Sequence, residues 1–212
     1  MLVTGIEAVT KKKCKVELDG QLAFVLYKGE LARYCVKIDE ELFQEQYDMI
    51  VNEVLLKRAK KYLLHLLTKM DRTTYELETK LHRGFYPEDV IGKAISYVRS
   101  YGYVDDADYA KRYLRTYEER LSHRQIKRKL AAKGISKDIL DSLDDERRQD
   151  EGELIKTYIH KKIRDKEVLA DKEIKRVADY LYRKGFESED IWNNLKGYRQ
   201  EKEDGLEYVS DK

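Results

Sequence analysis

Three stretches decide the fold: residues 80–91 (KLHRGFYPEDVI), 129–140 (KLAAKGISKDIL) and 181–192 (LYRKGFESEDIW). Each reads as the end of one helix, a tight turn and the start of the next. Their glycines, Gly84, Gly134 and Gly185, are separated by 50 and 51 residues, a period that points to stacked helical units. Lys or Arg in the last turn suits the negative end of the helix dipole. Glycine at the position after the cap takes the left-handed conformation without a Cβ penalty. The residue that follows (Phe85, Ile135, Phe186) is apolar. In the second and third stretches it is placed to close a Schellman contact with Leu130 and Leu181, five residues earlier. The first stretch has Lys80 there, so its last turn is expected to be shorter or rotated. Ser136 and Ser188, or Pro87 with Glu88 and Asp89, open the next helix.

Upstream, residues 73–76 (TTYE) and 122–125 (SHRQ) match capping boxes. Asp105, Asp106 and Asp108 crowd the start of the helix containing Tyr109, where the dipole favours negative charge. One proline and 11 glycines in 212 residues also argue for helix. The exception is the start, where KCKVELDGQLAFVLY alternates around Asp19-Gly20, a type I′ hairpin signal. Strands are predicted at 13–18 and 21–27, with a further strand near 2–9. An isolated hairpin is marginal, so this one must lean on a helix. The expected fold is mainly α: three tandem three-helix repeats in an elongated, curved array, behind a small N-terminal β-hairpin-containing extension. The boundaries are 1–48 for the extension and linker helix, 49–102, 103–144 and 145–199 for the repeats, and 200–212 for a charged tail.

Composition excludes several classes. Charged residues make up 40% and hydrophobic residues 42%, enough apolar content for a core. With a mean hydropathy of −0.75 and no apolar run near the roughly 18 residues of a membrane span, a transmembrane protein is excluded. The opening MLVTGIEAVTKKK places apolar residues before lysines, the wrong order for a secretory signal. Cys14 and Cys35 make no disulfide framework, which fits a reducing, cytoplasmic setting. His65, His82, His123 and His160 sit singly, without zinc-ligand spacing. Asp106-Ala-Asp108 resembles part of a divalent-metal pair, but helix-start capping accounts for every acid there. No GxGxxG, GxxxxGK[ST] or GxSxG occurs. No cofactor, metal or catalytic residue is expected, and the chain is read as a non-enzyme.

Net charge is only +2, but the charge is segregated. Residues 111–133 hold nine Lys and Arg, opposed only by Glu118 and Glu119, while 138–153 is acidic. With Ile126 and Leu130 facing inward, Arg124 and Arg128 point outward, flanked by Lys127 and Lys129. Like charges four apart cost a few tenths of a kcal/mol in a helix, and a solubility face would alternate their sign. Arg124, Lys127, Arg128, Lys129 and Lys133 are therefore candidate contacts with nucleic acid or an acidic partner. Arg112 and Arg115 are candidates too, set evenly against a solvated face, since Lys111 and Arg115 share an outer face with Glu118 and Glu119. Tyr109, Tyr113 and Tyr117 form a stripe read as core rather than as a base-stacking surface, and Trp192 is likewise read as packing.

Residues 102–135, GYVDDADYAKRYLRTYEERLSHRQIKRKLAAKGI, resemble the central signature of the RecX family of bacterial recombination regulators, and the glycine stretches resemble that family's three-helix repeats. The opening KCKVELDGQLAFVLYKGELARY is similar to the β-containing extension of longer members. The resemblance implies a regulatory protein of DNA repair, DNA recombination and the SOS response. It would bind the RecA recombinase filament as a monomer and modulate, in the direction of inhibition, recombinase, ATPase and coprotease activities. Single- or double-stranded DNA is a further partner it allows. It places Arg124, Arg128 and Lys133 where the family is basic, and Asp105, Asp106, Tyr109 and Ala110 in the helix-start signature. A plain protein-interaction scaffold is the alternative, with a nuclease using the Asp105–Asp108 cluster as a third class.

Overall fold

The computed structural model describes residues 1–145, 151–164, 166 and 168–198. The charged tail 200–212 and the middle of the acidic band lie outside the described residues. Strands β1 (Val3–Ala8), β2 (Lys13–Leu18) and β3 (Gln21–Tyr27) form an antiparallel sheet in that order. Asp19 and Gly20 both carry positive φ, 49° and 80°, as a type I′ turn requires. On β2 the alternate residues Cys14, Val16 and Leu18 are buried, following the two-residue period of a strand. Phe24, Val25 and Leu26 are buried in succession, so β3 is covered on both faces there. A short helix, α1 (Lys28–Arg33), follows directly. Its Glu30 accepts two 2.5 Å hydrogen bonds from Arg58.

The first bundle holds α2 (Gln44–Met49), which runs through a π-helical segment (Ile50–Leu55) into α3 (Leu56–Leu67), then α4 (Thr74–Arg83) and α5 (Glu88–Ser100). Val16, Phe24 and Leu26 of the sheet share one core with Leu55, Leu63, Leu77, Leu81, Ala94 and Val98. The hairpin thus gains from the helices the apolar cover it cannot supply itself. Next come α6 (Asp106–Tyr117), α7 (His123–Ala132) and α8 (Lys137–Asp145), then α9 (Gly152–Ile163), α10 (Asp171–Arg183) and α11 (Ser188–Leu195). Ile155, Ile159, Val177, Leu181, Phe186 and Ile191 build a core in this last triplet. The protein is mainly helical, with tandem three-helix units behind a small sheet. Its chain condenses into two compact units: Met1–Tyr109 with Lys133–Ile139, and Ala110–Ala132 with the described part of Leu140–Lys212.

The glycine turns differ from expectation in one place. Gly134 and Gly185 have φ of +79° and +87°. Gly84, however, has φ −86°, and Phe85 takes the left-handed conformation at φ 58°. The first motif has slipped by one residue. Its buried leucine is Leu81, and the apolar residue five later is Tyr86, whose N–H donates to Leu81 O at 3.3 Å. Phe186 N–H makes the equivalent 3.3 Å bond to Leu181 O. Apolar spacing therefore outranks glycine in setting the turn. Ser188 also departs from its expected capping role: Glu187 is the N-cap, and Ser188 Oγ instead shares a 2.6 Å hydrogen bond with Tyr182. Trp192 is 42% exposed rather than packed, its neighbour Ile191 filling the core. Tyr109, Tyr113 and Tyr117 are half-buried, while Ala110 and Leu114 between them are buried.

Two buried hydroxyls tie the turns to earlier helices. Thr73 Oγ1 accepts from Glu76 N at 3.2 Å and donates to Lys133 O at 2.6 Å. Ser122 Oγ accepts from Gln125 N at 3.3 Å and donates to Lys184 O at 2.6 Å. A hydroxyl is one donor and an acceptor, so each caps its own helix and satisfies a carbonyl left over at the end of another. Thr73→Ala is expected to cost about 2 kcal/mol, one part for the lost cap and one for the stranded Lys133 carbonyl. Thr73→Ser should restore most of it in a thermal melt, and an alanine variant that melts like the parent would contradict this role.

Candidate functional site

The basic band stands on α6 and α7. Ile126 and Leu130 are fully buried, and Ser122 anchors the start of α7. Arg124 and Arg128 on the opposite face, and Lys129 on its flank, are all exposed and without a partner among the described residues. Arg112 and Arg115 are exposed on α6. Two expected members are engaged elsewhere. Lys127 is half-buried, its ammonium 3.6 Å from Asp141 on α8. Lys133 lies in the other compact unit, 2.8 Å from Glu76 and 5.6 Å from the centre of the Tyr109 ring. Spacing along the chain cannot show this, because Glu76 is 57 residues from Lys133.

The Glu76–Lys133 pair titrates accordingly. Burial pushes the Glu76 carboxyl up, but the hydrogen bonds from Lys133 and the Thr73 backbone outweigh it and hold it below its ordinary 4.5. Burial pulls Lys133 down, but Glu76 and Tyr109 together raise it above 10.5. The carboxylate therefore adds stability above 4.5, lost as pH falls through its lower folded value. The amine adds stability below 10.5, lost as pH rises through its higher folded value. Melting temperatures recorded from neutral to acid pH should fall below about 4.5, and Glu76→Gln should flatten that fall while lowering the neutral plateau. An identical acid slope in the variant would show that Glu76 does not contribute to it.

The aspartate cluster divides its labour. Asp105 Oδ1 accepts from Ala107 N and Asp108 N at 2.9 and 3.0 Å, a cap on its own helix. Asp106 reaches back to the first bundle, accepting from Thr74 N at 2.9 Å and lying 3.7 Å from Arg99. Local capping rules miss this role, since the partner is 32 residues away. Among the described residues no group of three or more His, Cys, Asp or Glu is placed to hold a metal ion. His65, His82, His123 and His160 lie on four different helices. What α7 presents at its surface is a cluster of exposed positive charge.

Comparison with known proteins follows the same lines. Residues 59–97 match the family model described as RecX, first three-helix domain, and residues 149–193 match RecX, third three-helix domain. A regulatory protein RecX of Caldanaerobacter subterraneus subsp. tengcongensis is 31% identical over 195 residues, covering 90% of this chain and 96% of the relative. The chain belongs to the RecX family. A regulatory protein RecX of Clostridium beijerinckii is 27% identical over 188 residues, 87% of this chain and 88% of its own. A crystal structure of regulatory protein RecX superposes with a TM-score of 0.62 at 25% identity, covering 91% of this chain and 98% of the other. RecX from Lactobacillus salivarius shares the fold, with a TM-score of 0.56 at 22% identity over 66% of this chain and 94% of the other. Membership in the RecX family makes this chain a regulatory protein by kinship. Among its described residues no helix is long and apolar enough to cross a membrane.

Proposed function

We propose that this RecX-family chain is a cytoplasmic, non-enzymatic monomer that binds the RecA nucleoprotein filament and inhibits its recombinase, ATPase and coprotease activities in DNA repair and the SOS response. The repeats are assigned to 49–102, 103–144 and 145–199, behind an extension at 1–48. The observation that carries the reading is the unpartnered trio Arg124, Arg128 and Lys129, among the described residues, on the outer face and flank of α7. Such a face binds phosphate or acidic side chains and releases counterions as it does so. Arg112 and Arg115, exposed on α6, are further candidates, while Lys127 and Lys133 are left out because Asp141 and Glu76 already hold them.

The test is to add the protein to recombinase filaments on single-stranded DNA and to follow ATP turnover at two salt concentrations. Inhibition that weakens steeply with salt is expected. Turnover unaffected at either concentration would refute the reading, and salt-independent inhibition would favour an apolar interaction scaffold.

A further inference from the structure

Two tyrosine rings stand well out of the surface at the end of α5: Tyr101 is 62% exposed and Tyr103 54%. Their planes lie within 10° of parallel, with centroids 5.9 Å apart. Tyr101 in turn lies 4.9 Å from Tyr97, tilted 52° to it, and Tyr97 packs against the first core, so the stacked pair is anchored at one end. The stacked pair is held by a turn of the same kind as the one at Gly185. Gly102 has φ +69°, its N–H donates to Arg99 O at 2.9 Å, and Tyr103 N–H donates to Val98 O at 3.0 Å. Val98 and Val104 are buried and supply the apolar packing at this corner, so the fold does not require Tyr101 and Tyr103 to be aromatic.

Positive charge borders the pair. Lys60 of α3 places Nζ 4.3 Å from the centre of the Tyr97 ring. Of the four cations on α3, Lys57 and Arg58 are paired with Glu53 and Glu30, which leaves Lys60 and Lys61. Lys93 stands one turn before Tyr97 on α5, but its ammonium is already held, 3.7 Å from Asp89 and 3.4 Å from Asn52 Oδ1. The nearby acids are turned to other tasks: Asp105 caps α6 and Asp106 holds Thr74 N. Open ring faces beside ammonium groups are what an unpaired base and its phosphate require, since every base has a π-face and stacking tolerates any sequence.

We infer that Tyr101 and Tyr103, with Tyr97 and Lys60 behind them, form a stacking platform for the bases of single-stranded nucleic acid, separate from the basic face of α7. Fluorescence anisotropy of a short labelled oligothymidylate with the full chain, without recombinase, tests it. The variant Tyr101→Ala/Tyr103→Ala should weaken binding about ten-fold or more, the loss of at least one stacked base. Tyr101→Phe/Tyr103→Phe should stay close to the parent, and far-ultraviolet circular dichroism should show both variants folded. An abasic phosphodiester chain of the same length should bind the parent as weakly as the oligothymidylate binds the alanine variant. Equal binding of the oligothymidylate to parent and alanine variant overturns the platform, as does equal binding of the abasic chain to the parent. The platform also falls if the alanine variant keeps oligonucleotide binding but loses its effect on recombinase filaments, which would make this face a protein contact. The recombinase assay with α7 variants reads the proposed function separately.

Discussion

Gly134→Ala is expected to destabilise the fold by about 2–5 kcal/mol, the sum of a left-handed penalty and an overpacking cost. The backbone at Gly134 has φ +79°, and a Cβ there would fall 2.2 Å from the Tyr75 Cβ and 2.3 Å from its Cγ. Tyr75 is 52% exposed, and its ring can swing away, but its Cβ is fixed by the backbone of α4. The turn and α4 must therefore move apart, straining the 2.6 Å bond from Thr73 to Lys133. Gly92→Ala is the control, because a Cβ there meets nothing within 4 Å. In the helix α5 it should stabilise by up to about 1 kcal/mol. Urea denaturation reads both. Adding Tyr75→Gly to Gly134→Ala should recover part of the loss, since only removal of that Cβ restores space. A Gly134→Ala midpoint within error of the parent would show that the close approach imposes no constraint.

Reversing Arg124 and Arg128 to glutamate is expected to raise the concentration needed for half-inhibition of recombinase ATP turnover by roughly ten-fold or more per arginine. Hydrogen bonds to charged groups are worth about 1.5–3 kcal/mol, and 1.4 kcal/mol is a factor of ten. The slope of log affinity against log salt should also fall by about one per lost phosphate contact. Both side chains are exposed, and the buried face of α7 rests on Ile126 and Leu130, so melting should barely change. Lys133→Glu behaves differently: it sets a like charge against Glu76 and should lower stability before it alters binding. Inhibition unchanged in the double arginine variant would remove α7 as the contact.

Legibility in the sequence varies with the reach of the interaction. The Asp19-Gly20 hairpin and the Thr73–Glu76 capping box are set by residues within about five positions of one another, and both appear in the structure, whereas at Ser122–Gln125 only the bond to the Ser122 hydroxyl forms. Phe85 shows the limit even at that range. Two rules compete there, glycine in the left-handed site and an apolar pair five apart, and packing of Leu81 with Tyr86 wins. The Tyr101–Tyr103 turn obeys the same rule, with Val98 five residues before Tyr103, but longer stripes such as Tyr109–Tyr117 dominate the pattern around it. Trp192 shows a different limit, because a bulky aromatic beside a core residue says nothing about which of the two faces inward.

The sequence alone established a helical chain with three similar turns, a β-hairpin start, and a dense basic stretch between residues 111 and 133. Those features follow from backbone geometry and side-chain periodicity, which act over one or two helical turns. Only the tertiary structure decided which of those charges stay open. Asp141 and Glu76 approach Lys127 and Lys133 through packing between helices, and Coulomb attraction depends on distance in space rather than along the chain. The same holds for Thr73, Ser122 and Asp106, whose polar atoms bond to backbone groups 60, 62 and 32 residues away.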